Sequence, residues 1–111
     1  MSLLSLNDQT VALDAEGFLR DLDDWSPAVA AELARTESIE LTQEHWEVIT
    51  LLRNFYREFQ LSPAMRILVK QLGLQLGKEK GSSLYLLQLF PGSPAKIASK
   101  IAGLPKPTNC L

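Results

Sequence analysis

One phrase recurs three times and divides the chain into helices: Ser26-Pro27-Ala28, Ser62-Pro63-Ala64 and Ser93-Pro94-Ala95. A serine before a proline is a helix-start signal. The hydroxyl can accept a hydrogen bond from a free backbone N–H of the first turn. Proline fits the first helical position, where its missing N–H would have no partner anyway. The flanking residues do not match, so the phrase marks three helix starts and not an internal repeat. The first helix is expected from Pro27 to Thr36. A second runs from about Thr42 to Phe59, with Trp46, Ile49, Leu52, Phe55, Tyr56 and Phe59 recurring at helical spacing as its buried face. A third spans Pro63 to Leu76, with Met65, Leu68, Val69, Leu72 and Leu76 inward. The apolar run SSLYLLQLF gives a short fourth helix that stops at Pro91-Gly92. The fifth, Pro94 to Ala102, buries Ile97 and Ile101. Gly103 can end it in the left-handed conformation, and Pro105 prevents its return.

Before these helices, LLSL and TVAL flank the turn-like Asn7-Asp8-Gln9, and Gly17 permits another reversal before FLRD. This reads as an antiparallel meander of two or three short strands. So small a sheet is marginal alone and must lie on the helices. The expectation is an α+β fold, a small N-terminal β-meander packed on an array of about five helices. Residues 1–102 form one domain and residues 103–111 a mobile C-terminal arm. At 111 residues the chain can bury roughly 60–70% of its unfolded surface without a disulfide staple.

The N-terminal stretch lacks the basic segment of a signal peptide, and Asn7 and Asp8 break its apolar run. The longest uncharged run, Gly81 to Ala95, contains two prolines and is too short to span a membrane. A cytoplasmic protein with a reduced thiol is expected. The net charge of −2 hides an asymmetry: up to Gln60 twelve acids face four bases, and from Leu61 onward one acid faces seven bases. Arg66, Lys70, Lys96, Lys100 and Lys106 are therefore candidates for docking an acidic partner surface; the alternative is that both charge sets only solvate helix faces.

Catalytic groups are few. No glycine-rich phosphate loop, CxxC or HExxH is present. One His and one Cys cannot supply a metal site or point to a cofactor. His45, in the first turn of the second helix, is expected to be structural. Asp21, Asp23 and Asp24 read as favourable charge ahead of a helix N-terminus. The aromatic residues of the second helix read as core, not as a base-stacking platform. What remains is Cys110, next to last, behind Pro105 and Pro107. Prolines keep an arm extended at about 3.1 Å per residue, so the seven steps from Gly103 could carry the thiol ~20 Å. A free thiol has a pKa of about 8.5, and nothing in the local sequence activates it strongly. Such an arm suits a carrier whose one soft atom is handled in another protein's active site; the alternative is an incidental cysteine on a frayed end.

The segments EGFLRDLDDWS, LTQEHWEVITLLRNFYREFQLSPAMRILVK, LYLLQLFPGSPAK and above all KIAGLPKPTNCL resemble the DsrC/TusE family over nearly the whole chain. The family fold, a small β-meander on a helix array, agrees with the reading above. The resemblance implies a sulfurtransferase of a sulfur relay, with Cys110 as the residue that becomes a persulfide. It implies a TusBCD-type donor complex, where TusD holds the donor persulfide, and an MnmA–tRNA complex as acceptor for wobble-uridine thiolation. Little direct nucleic-acid contact and no cofactor are implied. Members of the DsrC type carry a second cysteine eleven positions before the penultimate one, where this chain has Ser99. That departure argues against a two-thiol role. Two readings of other classes remain: a single-cysteine DsrC-like paralogue that binds a sulfite reductase or another sulfur enzyme, and a helix-turn-helix nucleic-acid binder using the basic third helix.

Overall fold

The computed structural model describes residues 2–107. Strands β1 (Ser2–Ser5) and β2 (Thr10–Leu13) pair antiparallel with Leu4 opposite Val11. The period-2 alternation turns Leu4, Val11 and Leu13 inward. The third strand is reduced to one bridge between Leu13 and Leu19. Asp14 explains why. Its carboxylate accepts the N–H groups of Glu16 (2.8 Å) and Phe18 (3.0 Å), so that segment closes as a turn before a ladder can form.

Five helices follow: α1 (Pro27–Thr36), α2 (Gln43–Phe59), α3 (Met65–Leu76), α4 (Ser83–Leu89) and α5 (Pro94–Ile101). Helix α5 is the hub and packs on each of the other four. It can do so because its buried stripe is made of small residues, Ala95, Ala98 and Ser99, completed by Ile101. Ile97, expected inward, is only half-buried.

The Ser-Pro-Ala phrase has three different fates. Ser26 caps α1 as expected, its Oγ accepting from the N–H of Val29 at 3.2 Å. Pro94 opens α5, but Ser93 makes no side-chain cap. Ser62 is not a cap at all. Helix α3 begins at Met65 with Ala64 in the cap position, and the Ser62 hydroxyl is directed elsewhere.

The buried face of α2 also differs from expectation. His45, Val48, Ile49, Leu51 and Leu52 are buried; Trp46, Phe55 and Tyr56 are half-buried, and Phe59 is 53% exposed. At about 1.5 Å per residue the 17-residue α2 is roughly twice as long as α5, a helix it packs on. His45 is structural. Its Nδ1 accepts the Thr42 backbone N–H at 3.0 Å, which leaves Nε2 to donate to the Leu89 carbonyl at 2.8 Å. The ring ties the start of α2 to the end of α4 and stands edge-on to Phe90. Ser82 caps α4, and Gly81 lies so close to the Gly73 backbone that a Cβ on Gly81 would not fit, which seats the α3–α4 loop on α3.

Among the described residues, no helix is long and apolar enough to cross a membrane, and no three His, Cys, Asp or Glu side chains converge as metal ligands.

Candidate functional site

The site grows out of the C-terminal end of α5. A helix leaves its last four carbonyls without intrahelical partners. Here all four are engaged. Gly103, at φ +74°, reverses the chain, so the Leu104 N–H reaches the Ser99 carbonyl (2.9 Å) and the Gly103 N–H reaches that of Lys100 (3.0 Å). These two bonds form a Schellman motif. The Ile101 carbonyl accepts from the Trp25 indole Nε1 at 2.9 Å, and the Ala102 carbonyl from Arg53 Nη1 at 2.7 Å. The Arg53 guanidinium lies 3.8 Å above the Trp25 ring, so the two capping side chains hold each other in place. Burial first, and the neighbouring Arg57 charge second, pull the Arg53 pKa below its ordinary value.

Beyond Gly103 the chain stays attached. Leu104 is buried in the core. The Ser62 hydroxyl donates to the Pro105 carbonyl at 2.6 Å, which is where the missing helix cap went. Lys106 Nζ sits 3.0 Å from a Glu16 carboxylate oxygen, and Pro107 is buried. The Glu16 carboxyl is held below its ordinary pKa, first by the hydrogen bond from Lys106, with Lys96 adding to it. The packed part of the chain thus reaches past residue 102, the expected limit of the domain, through Pro107. Gly103 and Pro105 belong to an anchored root and not to a free arm.

Cys110 lies outside the described residues. Its position in the chain still bounds its reach. Three residues beyond Pro107 span at most about 11 Å, roughly half the ~20 Å expected when the arm was counted from Gly103. A notch of about 270 Å³ opens beside the root, lined by Arg53, Arg57, Tyr56, Asp23, Gly103 and Leu104. Ser99 is fully buried in α5, its hydroxyl without a partner among the described residues.

The candidate docking bases divide into two groups. Lys96 pairs with Glu16 at 3.5 Å, Lys100 with Glu37 at 2.9 Å, and Lys106 with Glu16. Each of these joins the basic half of the chain to the acidic half, so much of the charge asymmetry is internal complementarity. The Lys100 side chain is only 12% exposed and also lies over the Phe18 ring, so it is largely enclosed by the fold. Arg66 and Lys70 are exposed on α3 without ion pairs among the described residues. Trp25, Arg53, Ser62 and Glu16 were not found from sequence. Their partners lie 43 to 90 residues away, and the only local hint is a charged Arg53 directly after the buried pair Leu51-Leu52.

A family profile described as DsrC like protein matches residues 5–111. The chain is 53% identical over 109 residues to a protein named sulfurtransferase TusE from Pectobacterium atrosepticum, covering 98% of this chain and all of the relative. It is 51% identical over its whole length to the sulfurtransferase TusE of Photorhabdus laumondii, again covering all of that protein. Among solved structures, the NMR structure of Allochromatium vinosum DsrC matches with a TM-score of 0.89 at 50% identity, covering 98% of this chain and 97% of that one. The oxidized gamma-subunit of the dissimilatory sulfite reductase (DsrC) from Archaeoglobus fulgidus matches with a TM-score of 0.86 at 38% identity, covering 99% and 100%.

Proposed function

The chain belongs to the DsrC-like protein family, and from that premise we propose that it is a sulfurtransferase of a sulfur relay that carries sulfane sulfur on Cys110. The observation that carries this reading is identity at about half of all positions, end to end, with proteins named sulfurtransferase TusE. The anchored root supports it, since Trp25, Arg53 and Ser62 tie down the chain between Ile101 and Pro105, directly ahead of the segment that carries Cys110.

The chemistry is thiol exchange at sulfur. The Cys110 thiolate attacks the outer sulfur of a donor persulfide, the donor's S–S bond breaks, and the donor leaves as a thiolate. The new Cys110 persulfide is a reversible state of the thiol with no net oxidation. An acceptor thiolate then attacks the outer sulfur, and the Cys110 thiolate leaves. The donor in this reading is a TusBCD-type complex, with the persulfide on TusD. The acceptor is an MnmA–tRNA complex that thiolates the wobble uridine, which places the protein in the cytoplasm.

The match to a sulfite reductase gamma-subunit favours a second reading, a single-cysteine DsrC-like protein that docks on a sulfite reductase or another sulfur enzyme. Cells whose only copy carries Cys110→Ser separate the two. The carrier reading expects loss of 2-thiouridine from tRNA and, in the native protein, a C-terminal peptide heavier by ~32 Da at Cys110. Retained 2-thiouridine beside a loaded Cys110 favours the second reading, and an unloaded Cys110 with retained 2-thiouridine refutes the carrier reading.

A further inference from the structure

We infer that the outward face of α3 is the surface on which the sulfur-donating protein docks, and that it fits an apolar surface rimmed with carboxylates; the inference rests on the carrier reading above. Residues 66, 70 and 74 follow one another at helical spacing of four, and Ile67 lies beside them, so Arg66, Ile67, Lys70 and Leu74 share one side of the helix. All four are exposed, Leu74 to 71%. Single exposed leucines are ordinary. Here, five of the seven exposed large apolar residues among those described fall between positions 61 and 87, and α4, which packs on α3, exposes Leu84 and Leu87. A concentration of this kind marks an interaction surface.

The charge on this face has one sign. No acid occurs from Leu61 to Lys78, while Arg66, Lys70 and Lys78 do. These three lack ion pairs among the described residues, whereas Lys80, Lys96, Lys100 and Lys106 all have them. Within the basic half of the chain, the bases left over after internal pairing are therefore gathered beside the exposed apolar side chains. A protein surface with apolar centre and acidic rim complements that mixture. A nucleic-acid backbone would use the bases and leave Ile67 and Leu74 unburied, and α3 carries no aromatic side chain on which a base could stack.

The position of the face fits its use. Ser62, which holds the Pro105 carbonyl, stands one turn ahead of Arg66. The face starts near the arm root and runs about 12 Å along the helix, from Arg66 to Leu74. A partner seated on it lies beside the Ser62–Pro105 contact that anchors the arm root.

Calorimetric titration of the full chain carrying Cys110→Ser with a purified TusBCD-type complex tests this without sulfur chemistry in the cell. Arg66→Glu with Lys70→Glu should weaken binding about tenfold or more, since like charges then face the acidic rim. Leu74→Ser should weaken it about threefold or more through lost apolar burial. Arg20→Glu, an exposed reversal elsewhere, should change it less than about twofold. Thermal melts check that each variant is folded. Equal affinities for the native and α3-altered chains overturn the inference, as does the absence of a complex. It is also overturned if the α3 substitutions abolish self-association or tRNA binding and leave the complex with the donor intact. Loading of the native chain by inorganic polysulfide is measured separately: a Cys110 that takes up no sulfur there sinks the carrier reading and leaves the affinities interpretable.

Discussion

Gly103→Ala should be among the most damaging single-methyl changes in this protein. At φ +74° an alanine enters the left-handed region at a cost of about 1–2 kcal/mol. The added Cβ also collides with the near edge of the Trp25 side chain, overlapping Cδ1 and lying 2.6 Å from Cγ. Trp25 must move. Its hydrogen bond to Ile101 is worth about 1 kcal/mol, and its stack under Arg53 about 0.5–1 kcal/mol. The total is roughly 2.5–4 kcal/mol, which for a domain of this size lowers the Tm by roughly 10–20 °C. Urea denaturation of the native protein, Gly103→Ala, Trp25→Leu and the double variant measures both parts. With Trp25 already removed, the further cost of Gly103→Ala should shrink to the backbone part, about 1–2 kcal/mol. If Gly103→Ala costs under about 1 kcal/mol, or the same in both backgrounds, the contact between Gly103 and Trp25 does not hold the arm root.

Three further outcomes follow from the same geometry. Ser62→Ala removes the bond to Pro105 and should cost about 1 kcal/mol, with faster hydrogen exchange at the Leu104 amide, because the root above it loosens; unchanged exchange would show that Ser62 is not an anchor. His45→Gln keeps a side-chain acceptor at the third helical position for the Thr42 N–H and loses the link to Leu89, so it should destabilise by about 1 kcal/mol less than His45→Ala in urea melts. Ser99→Cys replaces a buried, unpartnered hydroxyl with a less polar group and should raise stability by about 1 kcal/mol in the reduced protein. Oxidation should then pair that thiol with Cys110 only if the root can open, since position 99 is fully enclosed; rapid disulfide formation, read by mass spectrometry, would contradict a firmly closed root.

What the sequence determined by itself is local. The cap at Ser26, the proline start of α5 and the reversal at Gly103 each depend on groups within a few residues of one another, so a short window contains their whole cause. The chemical identity of the carrier residue is local in the same sense: a lone Cys110 behind two prolines is visible wherever the chain goes. The tertiary structure decided what depends on meetings between distant segments. Ser62 has every local mark of a helix cap, yet its hydroxyl bonds Pro105, because an extended arm happens to pass within reach. Phe59 obeys the period of α2 and is still exposed, because burial depends on which other elements pack against it. Lys96, Lys100 and Lys106 read as one uncompensated basic set until folding brings Glu16 and Glu37 beside them. Local hydrogen-bonding rules need only the order of the residues, whereas partner choice across 40 to 90 residues depends on the packing of every element between them.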